Sequence, residues 1–292
     1  MKFCQAMIGL PTDMYVPLAR ELEGSGFATI AMSDHVVHPE TIESRYPYTP
    51  DGRPQYEPEW DFPDPWLAAA AMATVTERIG FVTNIFVLPA RNPLLAAKTL
   101  ATVSRLSGGR VSLGIGAGWM REEFEALGQR FEGRGRRMDE QLEILDAMWR
   151  GEHAEHHGEF YDLPSMRMLP TPGHPIPVLV GGDSAVALDR AARHDGWIGM
   201  YHTVEDLRAK CGELRRRREA AGVADRPFEI IASPLALPTP ETLAELESMG
   251  VTTLLTSAWI AQGVAAPSSL EEAVHHVRTY ADRWITAEHR AG

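Results

Sequence analysis

The sequence predicts a closed α/β barrel, and two features of the chain carry that prediction. Apolar strand-like runs alternate with helix-like runs from one end of the 292 residues to the other. No Pro-rich linker divides them, so a single domain over residues 1–292 is expected. Eight strands alternating with eight helices are typical of a (β/α)₈ (TIM) barrel. A doubly wound parallel sheet is the alternative.

Each predicted element is a short apolar or periodic run with its own stop signal. The predicted strands are Lys2–Leu10, Phe27–Met32, Ile79–Leu88, Arg110–Ile115, Pro177–Val180, Gly196–Met200, Pro227–Ser233 and Val251–Thr256. The predicted helices are Met14–Glu23, Pro65–Thr76, Pro93–Leu106, Arg137–Trp149, Ser184–Arg193, Val204–Ala221, Glu241–Met249 and Leu270–Ile285. The third strand is too long for a barrel, and the polar Asn84 within it predicts a bulge near its carboxyl end.

Two insertions interrupt the alternation, at residues 36–64 and 151–170. The first holds six prolines and five aromatic residues, Tyr46, Tyr48, Tyr56, Trp60 and Phe62. Aromatic side chains are costly to leave in water, so this insertion should cover the open end of the barrel or pack against a partner subunit. The second is predicted to be a hairpin over His153–Met168, and its histidines lack the carboxylate geometry of a metal site.

Composition excludes several functional classes. The formal net charge of −12 argues against nucleic acid or an anionic membrane as a partner, because either would require a basic face. Cys4 and Cys211 lie far apart without metal-type spacing, which is typical of a reduced, cytoplasmic protein. No stretch approaches the length of a membrane span.

An acid and a histidine follow the second predicted strand directly. Asp34 and His35 come after Phe27–Met32, and in a TIM barrel this edge carries the chemistry. Histidine gains and loses a proton near neutrality, so His35 is a candidate general acid or base. The alternative is that Asp34 caps a turn and His35 is a half-buried loop residue.

Glycines follow the fourth and fifth strands. Gly116 and Gly118 end one strand, and without Cβ atoms they would let a flat cofactor or a phosphate approach the backbone. Gly181 and Gly182 precede a helix that starts near Ser184, whose positive end would favour a phosphate. The alternative here is a tight turn in which Asp183 or Ser184 caps the helix.

Taken together, these residues resemble the bacterial luciferase-like superfamily of flavin and deazaflavin oxidoreductases. The resemblance covers essentially the whole chain and is most similar to the branch that uses the deazaflavin coenzyme F420. It rests jointly on Ser33-Asp34-His35, Leu88-Pro89-Ala90-Arg91-Asn92-Pro93, Leu106-Ser107-Gly108-Gly109-Arg110, Gly116-Ala117-Gly118-Trp119 and Gly181-Gly182.

The resemblance implies roles for particular residues. Asp34 and His35 match the acid-His pair beside the deazaflavin, with His35 as the general acid. Asn84–Ile85 matches a non-prolyl cis peptide that backs the ring. The glycine pairs, here Gly116, Gly118, Gly181 and Gly182 (with Ser184 beside them), match the contacts to the ribityl-phosphate side. A homodimer is also implied.

One departure from the family pattern concerns Trp119. Sugar-phosphate dehydrogenases of the family carry a catalytic Glu directly after the glycines of the fourth strand, and this chain has Trp119 there. Trp119 is therefore expected to wall an apolar pocket beside the cofactor, and Arg121 and Arg137 to reach a phosphate or to form surface ion pairs. Besides hydride transfer with F420, an FMN-dependent monooxygenase and a non-catalytic ligand-binding barrel remain open.

Overall fold

A computed structural model describes residues 1–285 of the chain, so the last seven residues of the predicted domain lie outside the described residues. The strands of this part are β1 (Lys2–Ala6), β2 (Thr29–Met32), β3 (Gly80–Thr83), β4 (Val111–Ile115), β5 (Ala154–His157), β6 (Asp162–Met166), β7 (Val178–Gly181), β8 (Gly196–His202), β9 (Glu229–Pro234) and β10 (Thr253–Thr256). Its α-helices are α1 (Tyr15–Gly24), α2 (Pro65–Ala73), α3 (Pro93–Ser107), α4 (Arg121–Ala126), α5 (Arg134–Trp149), α6 (Ala185–Arg193), α7 (Val204–Ala220), α8 (Pro240–Ser248) and α9 (Leu270–Trp284).

Eight of these strands close into a parallel barrel. Their order around the barrel is β1-β10-β9-β8-β7-β4-β3-β2, and β1 pairs with both β2 and β10. Helices connect successive barrel strands, which confirms the predicted TIM barrel and excludes the doubly wound sheet. Strands β5 and β6 form a separate antiparallel hairpin, as predicted for the second insertion.

The apolar core has two layers that follow from strand alternation. One layer lies between the strands and the surrounding helices and holds most of the large buried side chains. The other contains one residue from each of seven barrel strands: Cys4, Ala31, Val82, Leu179, Ile198, Ile231 and Leu255. The barrel is therefore filled with side chains, and a ligand can enter only above this inner layer.

The third strand differs from its prediction in a way that matters for the site. It ends at Thr83, and the chain then leaves the regular ladder before Phe86 pairs with Ile115 in an isolated bridge. The predicted bulge thus begins at Asn84, and the Asn84–Ile85 peptide bond is cis, as the resemblance implied. Helix α4 was not predicted, because its six residues are too few to show a helical period.

Among the described residues, no helix is both long and apolar enough to cross a membrane.

Candidate active site

Two adjoining cavities lie at the carboxyl ends of the barrel strands. The first, of about 380 Å³, has eight aromatic or imidazole rings among its lining residues and is here called the aromatic cavity. The second, of about 600 Å³, has six glycines among its lining residues and is here called the glycine cavity. Both are lined by Tyr48, Ile85, Trp119 and Gly181, so the two cavities are direct neighbours.

Most of the residues predicted for the site line this space. Those in the aromatic cavity are Asp34, His35, Asn84, Ile85, Trp119 and Gly181. Those in the glycine cavity are Ile85, Gly116, Gly118, Trp119, Gly181, Gly182 and Ser184. The strand-end position of each residue explains the agreement, since parallel strands of a barrel bring their carboxyl ends to one face.

Ile85 forms a floor between the two cavities. A Cβ atom on Gly116 would lie 2.5 Å from Cδ1 of Ile85, and one on Gly181 would lie 2.7 Å from its Cγ2. Any larger residue at either glycine would displace the Ile85 side chain. The glycines therefore allow the Ile85 side chain at the bulge of the third strand to pack against β4 and β7 and to line both cavities.

His35 is held by a carboxylate that sequence reasoning missed. Its Nδ1 lies 3.2 Å from Oε2 of Glu123, and the backbone N–H of Val36 donates to Oε1 of the same residue at 2.6 Å. Glu123 lies in the first turn of α4 and is almost fully buried. Because a carboxylate only accepts hydrogen bonds, Nδ1 carries the proton of this contact and Nε2 is left for a ligand.

Electrostatics keep Glu123 charged in spite of its burial. Burial alone would raise the pKa of the Glu123 carboxyl, but the hydrogen bonds from His35 and Val36 outweigh it and hold the pKa below the ordinary value. The charged carboxylate of Glu123 therefore orients the His35 ring. Nothing in the sequence distinguished Glu123 as a site residue, because an acid in the first turn of a helix is common.

Asp34 makes contacts of a different kind. Its carboxylate accepts hydrogen bonds from Arg91 Nη2 at 2.6 Å and from the backbone N–H of Val87 at 2.9 Å. Both donors follow the bulge, so Asp34 ties the end of β2 to this segment. Burial raises the pKa of Asp34 to about 6, although Arg91 and the Val87 N–H oppose the shift.

The first insertion supplies most of the aromatic wall. All five of its predicted aromatic residues line the aromatic cavity. Tyr46 packs edge-on against Trp119 with ring centroids 5.2 Å apart, and Tyr56 and Phe62 each lie 5.2 Å from the His35 ring. These contacts cover His35 with apolar surface, and they place the insertion over the barrel opening, which is one of the two roles considered for it.

Tyr201 is a further residue that the sequence did not reveal. It lies near the carboxyl end of β8, lines the aromatic cavity and adopts a left-handed backbone conformation with φ of 59°. Such a conformation is costly for a residue with a Cβ atom and is concentrated at functional sites. No motif in the sequence predicts it, because the strain arises from packing around the barrel end.

The glycine cavity ends at the amino terminus of α6. Ser184 is the N-cap of this helix and accepts a hydrogen bond from the N–H of Ala187, so the capping alternative is observed. The remaining N–H groups of the first turn and the helix dipole still favour an anion at this place. Arg134 and Arg190 also line the cavity.

Arg121 and Arg137, which were expected near a phosphate, line neither cavity. Arg121 is half-exposed and pairs with Glu132 at 2.7 Å, which is the surface ion pair considered above. Arg137 is buried and donates to the backbone carbonyls of Pro89 and Arg130. Its guanidinium therefore stabilises the loops around the site, and Arg134 takes the place beside the cavity.

Comparison with known proteins agrees with this geometry. The sequence profile of the luciferase-like monooxygenase family matches residues 9–284. The chain belongs to this family. Uncharacterized protein Rv0940c of Mycobacterium tuberculosis is 38% identical over 255 residues, which are 87% of this chain and 88% of that protein.

One further sequence relative and one solved structure of similar fold name different cofactors. The FMNH₂-dependent dimethylsulfone monooxygenase of Pseudomonas putida is 32% identical over 161 residues, 53% of this chain and 44% of that protein. The coenzyme F420-dependent tetrahydromethanopterin reductase of Methanopyrus kandleri superposes with a TM-score of 0.70 at 14% identity, covering 98% of this chain and 99% of that one. At this identity the second likeness shows the fold alone.

Proposed function

We propose that the protein is an F420-dependent oxidoreductase that transfers hydride between the deazaflavin and a small, largely apolar organic substrate. The observation that carries this proposal is the His35–Glu123 pair, which stands at the wall of the aromatic cavity close to the Ile85 floor. Hydride transfer to or from a carbonyl, alcohol or imine requires a proton partner, and His35 is the titratable side chain placed for that task.

The residues present fit a cofactor with a flat ring and an anionic tail. The aromatic cavity and Ile85 offer apolar surface to a ring, and Asn84 lies beside them. Gly116, Gly118, Gly181, Gly182 and Ser184 line the adjoining space that leads to the amino terminus of α6, where a phosphate is favoured. Bound in this way, the deazaflavin would supply the ring carbon that accepts or donates the hydride.

Side chains of the protein would transfer the proton that accompanies the hydride. When an alcohol is oxidised, Nε2 of His35 takes the hydroxyl proton, and in the reverse direction the same nitrogen returns it to the oxygen. Glu123 keeps Nδ1 protonated and offsets the positive charge that the ring gains. The rings of the insertion exclude bulk water from this place, which protects the hydride from side reactions.

The aromatic cavity also restricts the substrate. Its lining includes rings, aliphatic side chains and short polar groups, and among the described residues no Lys or Arg contributes to it. A phosphate or carboxylate on the reacting part of a substrate would therefore lack a counter-charge. Ketones, alcohols, imines and activated alkenes without charge at the reacting end are the expected classes.

An FMN-dependent monooxygenase is the second candidate. The sequence similarity to an FMNH₂-dependent dimethylsulfone monooxygenase favours it, because that relative names FMN. The two candidates differ in their use of oxygen, since deazaflavin carries carbon in place of the ring nitrogen needed for hydroperoxide chemistry.

The assembly and location follow the resemblance. We propose a homodimer in the cytoplasm that acts on small molecules and has no nucleic-acid or membrane partner, as the net charge of −12 suggests. Size-exclusion chromatography with light scattering should give twice the chain mass of 32.3 kDa. A mass of one chain contradicts the dimer and leaves the activity to be judged separately.

The proposed activity is tested with the purified protein and both reduced cofactors. Reduced F420 is mixed with a panel of ketones, imines and activated alkenes without oxygen, and its reoxidation is followed by visible absorbance. We expect reoxidation that depends on the substrate and the protein. Substrate-dependent oxygen uptake with reduced FMN, and none with F420, would favour the monooxygenase instead.

A further inference from the structure

We propose that Tyr48, a residue of the first insertion, is a ligand of the cofactor phosphate. The phosphate would then hold the insertion as well as the barrel. This inference rests on the proposed function only in requiring a phosphate-bearing flavin or deazaflavin in the glycine cavity. The proposed ligand, Tyr48, would be a binding residue of the glycine cavity that does not come from the barrel strands or their helices.

Tyr48 lies at the boundary between the two cavities. Together with Pro47 it is the contribution of the insertion to the glycine cavity, and it also lines the aromatic cavity. Its hydroxyl oxygen lies 3.9 Å from the position that a Cβ atom on Gly182 would take. The hydroxyl therefore stands over the glycine that directly precedes the α6 cap region.

The Tyr48 hydroxyl is available to an incoming group. Its ring packs against Tyr46 with centroids 5.4 Å apart, but within residues 1–285 no side chain or backbone group is hydrogen-bonded to the hydroxyl. Burial and the nearby Asp183 carboxylate raise the pKa of Tyr48 to about 12. At neutral pH the hydroxyl keeps its proton and can donate it in a hydrogen bond, which is what a phosphate oxygen accepts.

The Asp183 carboxylate near this position has two neighbouring side chains as partners. Its Oδ1 lies 3.0 Å from Nε2 of His202 and 3.4 Å from Nζ of Lys210. Although burial would raise the pKa of Asp183, these partners outweigh it and lower the pKa, so the carboxylate is charged and paired. A phosphate near Gly182 would thus meet a compensated carboxylate, the N–H groups of the first α6 turn and the Tyr48 hydroxyl.

A phosphate contact to Tyr48 would also affect the aromatic cavity. Tyr48 lies between two segments of the insertion that are held by hydrogen bonds. Near one end, Glu122 accepts hydrogen bonds from the backbone N–H groups of Glu43 and Ser44. Near the other, Asp61 accepts from the backbone and hydroxyl of Thr12. A phosphate bound to Tyr48 would fasten the middle of the insertion as well. The cofactor tail would then stabilise the wall against which the substrate binds.

The test compares ligands that differ only in the phosphate. Dissociation constants of FMN and riboflavin, and of 5-deaza-FMN and 5-deazariboflavin, are measured for the wild type and for Tyr48→Phe. We expect Tyr48→Phe to weaken binding of each phosphorylated ligand about tenfold, as for one hydrogen bond to a charged group. Binding of the phosphate-free ligands should stay the same.

Tyr46→Phe is the matched control, because it removes the hydroxyl of a neighbouring ring that lines the aromatic cavity alone. It should change the phosphorylated and phosphate-free ligands of each pair by the same factor. Equal effects of Tyr48→Phe on both members of a pair, or none on either, overturn the inference. A preference for FMN would refute the proposed deazaflavin reaction while leaving this comparison intact.

A second measurement uses the exposed Arg45 as a cleavage site. Trypsin should cut the insertion after Arg45 more slowly with 5-deaza-FMN than with 5-deazariboflavin at equal saturation. Tyr48→Phe should remove that difference. Equal protection by both ligands in the wild type contradicts a phosphate contact to the insertion.

Discussion

His35 and Glu123 lie 88 residues apart in the chain and meet only because β2 and β4 end at the same face of the barrel. Substituting His35 by Ala removes the proposed proton carrier and leaves Ile85 and the glycines of the adjoining cavity unchanged. A positioned acid or base contributes roughly 10²–10⁴ in rate. We expect His35→Ala to slow hydride transfer by that factor with cofactor affinity nearly unchanged, as measured in single turnovers by deazaflavin absorbance.

His38→Ala is the control for this prediction. His38 lies in the first insertion, is exposed and lines neither the aromatic nor the glycine cavity. It should leave the single-turnover rate within about twofold of the wild type, since surface substitutions usually have small effects. A His35→Ala rate equal to that of the wild type would reduce His35 to a structural residue.

Asp34 gives a prediction about pH. Its pKa of about 6 lies above the ordinary value of 3.8, so the folded protein binds this proton more tightly than the unfolded chain. Its contribution to the free energy of unfolding is therefore fully present below about pH 4 and is lost as the pH rises through about 6. Carboxyl ¹³C NMR should show the Asp34 titration near pH 6, and a midpoint below pH 4 would contradict the burial argument.

Sequence reasoning at this scale found the residues at strand ends and missed those set by tertiary packing. Asp34, His35 and the glycines stand where an apolar run stops, which the sequence displays directly. Glu123 and Tyr201 carry no such mark, since one is an ordinary acid at a helix start and the other is strained by its surroundings. For the same reason Arg121 and Arg137 could not be distinguished from Arg134.

At the scale of elements, α4 connects the site to the first insertion. Glu122 accepts hydrogen bonds from Glu43 and Ser44, and the N–H of Arg121 donates to Ser44 Oγ. Glu122→Ala should leave two backbone N–H groups of the insertion without this acceptor. Local opening should then become easier, and tryptic cleavage after Arg45 should accelerate roughly tenfold.

Glu125→Ala tests whether the effect is specific. Glu125 is exposed on the same helix and approaches Arg121 at 3.9 Å without contacting the insertion. Its removal should leave the cleavage rate unchanged, because exposed ion pairs contribute little. Equal acceleration in both variants would mean that helix α4 itself, rather than the Glu122 contacts, controls the insertion.

Deletion of residues 46–62 separates the two roles considered for the insertion. If these residues wall the site, turnover should be lost while the oligomeric state persists, because all five aromatic side chains leave the cavity. Light scattering and the F420 reoxidation assay report the two properties independently. A dissociated protein that still turns over would instead assign the segment to a subunit interface.

The elements themselves were largely predictable, for a physical reason. Buried parallel strands are short continuous apolar runs, and each of the eight predicted runs overlaps a barrel strand. The third predicted strand is longer than the observed one because its apolar residues continue past Thr83 into the bulge. There they are buried without regular strand pairing. Periodicity reports burial, and it cannot distinguish a strand from a buried irregular segment.

At the scale of the whole molecule, the barrel places an apolar cavity beside one that suits an anion. The two share the Ile85 floor, and the chain belongs to the luciferase-like monooxygenase family. An FMNH₂-dependent monooxygenase is among the relatives of the chain, and an F420-dependent reductase is among its structural neighbours. The identity of the cofactor therefore decides the reaction class.

The most direct measurement is a titration of the cofactor-free protein with F420 and with FMN under identical conditions, following the visible absorbance of each. The proposed function predicts that F420 binds with the lower dissociation constant. A preference of tenfold for FMN, which corresponds to about 1.4 kcal/mol, would contradict the assignment and favour the monooxygenase.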